Sequence, residues 1–335
     1  MSSAIPLGST VLVTGINGFV GSHVVDQLLL AGYKVRGTVR DPQKAAGLVK
    51  LWNEKYGEGK LELITVKDMA FPGAFDKAVA GVSGIAHVAS NMSLSPDPNT
   101  VIPEVLAGIR SIIDSAILSP SVKRFVYTSS STAITSPSKE VARHFTVDSW
   151  NDAAVAAAWA PPPYTEDRAL DVYFASKTEA EKMLFKYSKE KNVAFNVASV
   201  LPCIVFGKIL DPEVPASTAD MLKQMAIGKQ SMLPFVLPTW FVDVQDVARL
   251  HVAALTNSGS QAERIFAFSG SVTHNDVVRA IHKAIPGKAL VEEIEDPKRD
   301  LTTFPRERAT ELLQALGGTG WTSIEESVRL NLESL

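Results

Sequence analysis

Residues 11–21 read VLVTGINGFVG, a short β-branched run followed by three glycines at three-residue spacing. Apolar residues then recur at helical spacing from Gly21 to Ala31, so the glycines lie between a predicted strand and a predicted helix. This arrangement is typical of a dinucleotide-binding turn. Gly15 permits the turn, Gly18 lets a pyrophosphate approach the backbone, and Gly21 allows close packing of the helix. The N–H groups at the start of that helix are then available to phosphate oxygens.

The remaining sequence repeats this alternation of strand and helix. Apolar and β-branched runs predict further strands at Lys34–Val39, Leu61–Val66, Gly84–Ala89, Arg124–Thr128 and Phe195–Leu201. Amphipathic stretches predict helices at Val101–Leu118, Thr178–Lys191, Asn275–Ile285 and Pro305–Leu316. Strands that alternate with helices and connect by right-handed crossovers predict an α/β fold with an open, doubly wound parallel sheet.

The alternation also suggests a division of the chain into two parts. We expect residues 1–200 to form a dinucleotide-binding Rossmann domain, with a segment near 241–270 that returns to it. Residues 201–335 are expected to form mainly a substrate-binding cap. The stretch Thr135–Asp171 breaks the alternation with several prolines and acids, and predicts an elaborated loop.

Composition excludes several classes of protein. The chain has 335 residues, of which 46% are hydrophobic and 21% charged, as in a folded globule rather than a disordered chain. The net charge of −3 favours no nucleic-acid partner, and no run approaches the ~18 apolar residues of a membrane helix. Cys203 is the only cysteine, and the six histidines show no metal-ligand spacing, so we expect no metal. The start of the chain lacks the pattern of a secretion signal, and a cytoplasmic location is expected.

The end of the second strand bears on the choice of dinucleotide. NAD-binding turns usually place an acid there to bind the ribose diol, but this chain has Val39. Arg40 and Lys44 follow, and a guanidinium can bind the 2′-phosphate of NADP through paired hydrogen bonds. The alternative is a solvated basic turn paired with Asp41. Asp68, after the third strand, is either an adenine contact or a turn acid.

A second group of polar residues has the pattern of a catalytic site. Tyr173 and Lys177 are four residues apart, so a helix places both on one face. We expect the ammonium to lower the pKa of the phenol, which could then donate a proton to a carbonyl oxygen. A surface pair is the alternative. Five hydroxyl residues, Thr128–Thr132, end the fifth strand, and one of them could stabilise a developing alkoxide, although spacing does not choose among them.

These residues resemble the extended short-chain dehydrogenase/reductases. The chain is most similar to the NADPH-dependent aldehyde and ketone reductases of yeasts and fungi, of the methylglyoxal type, and to plant dihydroflavonol reductases. The shared stretches include VTGINGFVGSH at 13–23, GTVR at 37–40, SVKRFVYTSS at 121–130 and YFASKTEAE at 173–181, and the likeness continues to GWTSIEES at 320–327. The resemblance implies the Rossmann fold, NADPH as cofactor and carbonyl reduction.

The resemblance also implies roles for single residues. Ser130 matches the catalytic serine, Tyr173 the proton donor and Lys177 its activator. The implied cofactor contacts are Gly15, Asn17, Gly18, Phe19, Val20, Gly21, Arg40, Lys44, Asp68, Met69, Ala89, Ser90, Tyr173, Lys177, Pro202, Cys203, Ile204 and Val205. One departure is that Val101–Leu118 contains no asparagine, which many family sites have in this helix.

We therefore expect an NADPH-dependent reductase that converts an aldehyde or ketone to an alcohol by hydride transfer. The expected substrate is a small, partly hydrophobic carbonyl compound, and the protein is expected to be a monomer or homodimer. Two alternatives remain open: an NAD-dependent nucleotide-sugar epimerase or dehydratase, and a non-catalytic redox sensor that binds a dinucleotide. A last group of apolar residues forms either a hydrophobic substrate wall or part of the core: Met221, Met225, Met232, Phe235 and Trp240.

Overall fold

The computed structural model describes residues 3–91, 93–136, 142–233, 237–259, 262–317, 320–333 and 335. Within these ranges the chain folds around a seven-stranded sheet. Its strands are β1 (Thr10–Thr14), β2 (Lys34–Val39), β3 (Leu61–Thr65), β4 (Gly84–His87), β5 (Arg124–Thr128), β6 (Asn196–Pro202) and β9 (Ala262–Ala267). Their order is β3-β2-β1-β4-β5-β6-β9, and all neighbouring pairs are parallel. This confirms the predicted α/β fold.

Helices and a second, smaller sheet complete the described part of the chain. The smaller sheet has the order β10-β8-β7, with β7 at Ile204–Phe206, β8 at Thr239–Asp243 and β10 at Gly270–Val272. The helices are α1 (Phe19–Leu30), α2 (Ala46–Tyr56), α3 (Asp76–Val79), α4 (Pro98–Ile117), α5 (Asp152–Ala158), α6 (Ala169–Glu190), α7 (Ser217–Ala226), α8 (Val244–Thr256), α9 (His274–Ala284), α10 (Glu307–Ala315) and α11 (Ile324–Leu332).

Both faces of the main sheet are covered by helices, as successive residues of β1 show. Val11 and Val13 belong to the core that includes α1, α2 and α8, whereas Leu12 belongs to the core that includes α3, α4 and α6. Successive strand residues point to opposite faces of a sheet. The near-continuous apolar sequence of β1 is therefore explained by burial on both sides.

The stretch Thr135–Asp171 is more regular than the sequence predicts. It contains α5, and α6 begins at Ala169, before the predicted start at Thr178, so Tyr173 lies in the second turn of α6. An alanine-rich run favours the short helix, and Asn151 caps it by accepting a hydrogen bond from the backbone N–H of Ala154 at 3.2 Å. Residues 137–141 lie outside the described ranges.

The segment that follows β8 rejoins the main sheet. Helix α8 packs against α1, and β9 pairs with β6 at the edge of the sheet. The small sheet shares a separate core with α7, α9 and α11. The division into domains stays a prediction. Across the described ranges, we find no helix with the length and apolarity that crossing a membrane requires.

Candidate active site

The glycine turn after β1 has the backbone geometry of a tight phosphate-binding turn. Gly15 has a φ of 69°, which favours glycine, and its N–H donates to the carbonyl of Thr38 at 3.1 Å. A side chain at Gly21 would place its Cβ 2.2 Å from the carbonyl oxygen of Gly15. Helix α1 begins directly after Gly18, and among the described residues no side chain caps it. The first N–H groups of α1 therefore suit an anion.

Two cations lie beyond the carboxyl end of β2. Val39 is buried, whereas Arg40 and Lys44 are exposed, and neither cation has a hydrogen bond or ion pair with any described residue. Asp41 instead accepts a hydrogen bond from the backbone N–H of Gln43 at 3.0 Å. The basic turn is thus not paired with Asp41, and its two cations are available to a phosphate.

A small cavity lies between the ends of β3 and β4 and one face of α4. Met69, Ala89 and Ser90 line it together, as expected for residues that contact one part of a ligand. Sequence reasoning missed other lining residues, which include Asn91, Glu104, Val105 and Gly108. Asp68 is not among them: its carboxylate accepts a hydrogen bond from the backbone N–H of Ala70 at 2.8 Å, which favours the turn-acid interpretation.

The structure distinguishes among the five hydroxyls at the end of β5. Thr128 and Ser129 are directed into the protein, to the Nε2 atom of His251 at 2.7 Å and to the carboxylate of Glu181 at 2.9 Å. The Ser130 hydroxyl acts on the phenol of Tyr173 and lowers its pKa. Ser130 is therefore the hydroxyl that the fold brings to the candidate proton donor.

Tyr173 is half-buried, and its pKa departs from the sequence-based expectation. Burial raises this pKa, and the Ser130 hydroxyl lowers it by a smaller amount. The expected net lowering by the Lys177 ammonium is wrong in direction, because the loss of water around the phenolate outweighs the favourable contacts. A phenol of this kind stays protonated at neutral pH.

Lys177 is buried, so the surface-pair interpretation is wrong. Its ammonium donates to the backbone carbonyl of Thr128 at 3.3 Å and lies 5.6 Å from the centre of the Tyr127 ring. Burial lowers the pKa of Lys177 to about 8, while the nearby Glu181 carboxylate raises it. Lys177 is therefore mostly charged at neutral pH but close to its titration range.

One turn beyond Lys177, Glu181 forms a buried network that sequence reasoning missed. Its carboxylate accepts hydrogen bonds from the hydroxyls of Ser129 and Ser199. It also accepts two from Arg264, one from Nε at 3.0 Å and one from a terminal nitrogen at 3.1 Å. The side chains of Glu181 and Arg264 are 0% and 7% exposed. The Arg264 guanidinium also stacks 3.8 Å from the centre of the Trp150 ring. The only sequence signal was an acid four residues after Lys177.

Pro202 ends β6, and Ile204 and Val205 lie in β7, so these predicted cofactor contacts connect the two sheets. The thiol of Cys203 donates to the carbonyl of Ala267 at 3.3 Å, and burial raises its pKa well above the usual value. Cys203 is thus a packed thiol and not an activated nucleophile. Among the described residues no group of three or more histidine, cysteine or acidic side chains could hold a metal ion.

The proposed apolar wall is divided between core and surface. Met225 is buried and Met221 packs beside it, whereas Met232 is 57% exposed. Trp240 is half-buried and donates to the carbonyl of Thr302 at 3.1 Å. Phe235 lies outside the described residues.

Comparison with known proteins agrees with this geometry. The NAD dependent epimerase/dehydratase family matches residues 11–267. Similar curated proteins include the NAD-dependent epimerase/dehydratase terH of Aspergillus terreus, 39% identical over 99% of this chain and 98% of its own length. Aldehyde reductase 2 of Sporidiobolus salmonicolor is 38% identical, with coverage of 98% and 96%. The crystal structure of Gre2 from Candida albicans in complex with NADPH is 26% identical, with a TM-score of 0.80 and 98% of each chain covered. The chain belongs to the NAD dependent epimerase/dehydratase family, within the extended short-chain dehydrogenase/reductases that its sequence resembles.

Proposed function

We propose that this protein is an oxidoreductase that reduces an aldehyde or ketone to an alcohol with NADPH, and that Tyr173 is the proton donor. The observation that carries the proposal is that the Ser130 hydroxyl acts on the phenol of Tyr173, on the helix that also carries the buried ammonium of Lys177. These groups lie at the carboxyl edge of a parallel sheet, where open α/β sheets bind ligands.

The residues of this chain fit the dinucleotide. A Cβ at Gly21 would lie 2.2 Å from the carbonyl oxygen of Gly15, and one at Gly15 would lie 3.0 Å from the Cβ of Ala89, so the turn is tightly packed at both ends. The uncapped start of α1 suits a pyrophosphate. Arg40 and Lys44 suit the 2′-phosphate that distinguishes NADPH from NADH. When bound, this coenzyme supplies the hydride that reduces the carbonyl carbon.

The side chains then manage the charge that develops on the substrate oxygen. The Tyr173 phenol, kept protonated by its raised pKa, donates its proton to that oxygen. Ser130 donates a hydrogen bond to the same oxygen and stabilises it as the negative charge grows. The Lys177 ammonium stabilises the phenolate that remains, because an opposite charge nearby favours the ionised form.

The relatives support the reductase over the alternatives. Aldehyde reductase 2 shares 38% of its residues with nearly the whole chain, and the Candida albicans structure contains NADPH. An NAD-dependent epimerase or dehydratase, the activity that the name of terH suggests, would need an acceptor for the ribose diol where this chain has the buried Val39. A cytoplasmic location and a monomeric or homodimeric state stay predictions.

The test is the decay of NADPH absorbance with a panel of small aldehydes and aryl ketones. We expect turnover by the unmodified protein, slower turnover with NADH, and a loss of about 10²- to 10⁴-fold in kcat for Tyr173→Phe, which removes the general acid. Tyr187→Phe is the matched control, because Tyr187 lies on the same helix and its hydroxyl bonds Asp114. No turnover with any compound would favour the non-catalytic sensor, and full activity of Tyr173→Phe would exclude this acid.

A further inference from the structure

We infer that Thr132 is a positioning residue that makes the Ser130 hydroxyl a hydrogen-bond donor, to Tyr173 before the substrate binds and to the substrate oxygen once it is bound. This inference rests on the proposed function, because it concerns the same proton transfer. It assigns a role to Thr132, one of the five hydroxyl residues among which sequence spacing does not choose.

The first step is the hydrogen-bonding capacity of Ser130. A serine hydroxyl has one hydrogen to donate and two lone pairs that accept. The Ser130 Oγ atom accepts from the backbone N–H of Thr132 at 3.2 Å and from the hydroxyl of Thr132 at 3.0 Å. Both lone pairs are therefore engaged by one residue. Only the hydrogen of Ser130 is then left for Tyr173, and a hydrogen donated to the phenol oxygen accounts for the lowering of the Tyr173 pKa by Ser130.

The second step is the rigidity of the turn that carries Thr132. Ser130 is the N-cap of a single 3₁₀ turn over Ser131–Ala133, with extended backbone at φ −161°. The buried side chain of Asn151 donates to the carbonyl of Thr132 at 2.9 Å, and the Asn151 backbone N–H donates to the carbonyl of Ala133 at 3.0 Å. The turn is thus held from a separate segment, so Thr132 presents its two donors to Ser130 in a fixed arrangement.

The third step is the consequence for Tyr173. A hydrogen bond donated to the phenol oxygen favours the phenolate and lowers the pKa, which is the direction of the Ser130 effect. Without the Thr132 hydroxyl, one lone pair of Ser130 becomes free, and Ser130 can turn to accept from the neutral phenol instead. That reversal favours protonated Tyr173, weakens it as an acid and removes the donor that stabilises the substrate oxygen.

The experiment compares Thr132→Val, which has a similar shape but no hydroxyl, with Thr132→Ser, which keeps the donor. We expect Thr132→Val to raise the pKa of Tyr173 by about one unit and to lower kcat roughly tenfold, with an unchanged KM for NADPH. Thr132→Ser should restore most of both values. The pKa is measured without substrate or coenzyme, from tyrosinate absorbance, as the difference between each protein and the same protein carrying Tyr173→Phe.

Ser131→Ala is the matched control, since no described residue hydrogen-bonds the Ser131 side chain. An unchanged pKa and kcat in Thr132→Val would overturn the inference while leaving the proposed function intact. Equal losses in Thr132→Val and Thr132→Ser would also overturn it, because packing and not the hydroxyl would then be responsible. If the unmodified protein reduces no carbonyl compound, the proposed function fails, and the Tyr173 titration still decides whether Thr132 orients Ser130.

Discussion

The glycine turn after β1 and the cluster around Tyr173 lie at the same edge of the sheet but are built differently. The turn is formed by backbone within residues 14–21, and the cations beside it, Arg40 and Lys44, are exposed and unpaired with any described residue. The cluster is formed by side chains from α6, β6, β9 and the turn after β5 that are mostly buried and hydrogen-bonded to one another or to the backbone. Changes beside the turn should therefore affect coenzyme binding alone, whereas changes in the cluster should affect stability and chemistry together.

The largest effect is expected where the cluster depends on its buried ion pair. Arg264→Leu leaves the buried Glu181 carboxylate with only hydroxyls as hydrogen-bond partners among the described residues, and the loss of one member of such a pair costs about 3–5 kcal/mol of unfolding free energy. Chemical denaturation measures this loss. Arg279→Leu, which removes an arginine that is 56% exposed and paired with Asp276, should cost less than about 1 kcal/mol.

The double variant Glu181→Met with Arg264→Met tests whether the unpaired carboxylate causes this loss of stability. Replacement of both partners of a buried ion pair by apolar residues is often close to neutral, so we expect most of the stability to return. Activity should not return to the same extent, because Lys177 loses the carboxylate that helps to hold its charge. Equal stability of Arg264→Leu and the unmodified protein would show that the cluster does not depend on the ion pair.

The same comparison explains what the sequence could predict. The glycine turn, the order of strands and helices, and the position of Tyr173 and Lys177 on one helix face follow from local spacing. The fold class and most strand bounds, within two residues, agree with the structure. Spacing did not choose among the five hydroxyls, and the roles of Ser130, Tyr173 and Lys177 stay predictions.

The features of the site that the sequence did not predict depend on contacts between distant segments. Arg264 is 83 residues from Glu181, and no local pattern pairs an arginine in an edge strand with an acid on a helix. The direction of the Tyr173 pKa shift was also missed, because spacing reports the nearby ammonium but not the loss of solvent around the phenol.

A smaller effect is expected at the exposed cations. Arg40→Ala should raise the KM for NADPH by about 10- to 100-fold, the amount for one or two charge-assisted hydrogen bonds, with little change in the KM for NADH or in kcat. The unfolding free energy should change little, because Arg40 bonds no described residue. Lys34→Ala removes an exposed cation from the opposite end of the same strand and should leave both KM values unchanged. An equal loss with NADH would place Arg40 away from the 2′-phosphate.

The smallest effect is the dependence of the rate on pH. It distinguishes the cluster around Tyr173 from the glycine turn without any substitution. Burial lowers the pKa of Lys177 to about 8, so its ammonium is lost as the pH rises through that value. Because the charged form stabilises the Tyr173 phenolate, kcat for reduction should be flat near about pH 7, halved near about pH 8 and lower by up to tenfold per unit above it. Lys177→Arg keeps a cation over this whole range, so this decline should disappear even if the maximal rate is lower. The KM for NADPH should stay constant over the same range, since the phosphate contacts proposed for Arg40 do not depend on the Lys177 ammonium. A decline in kcat that persists in Lys177→Arg would assign the titration to another group.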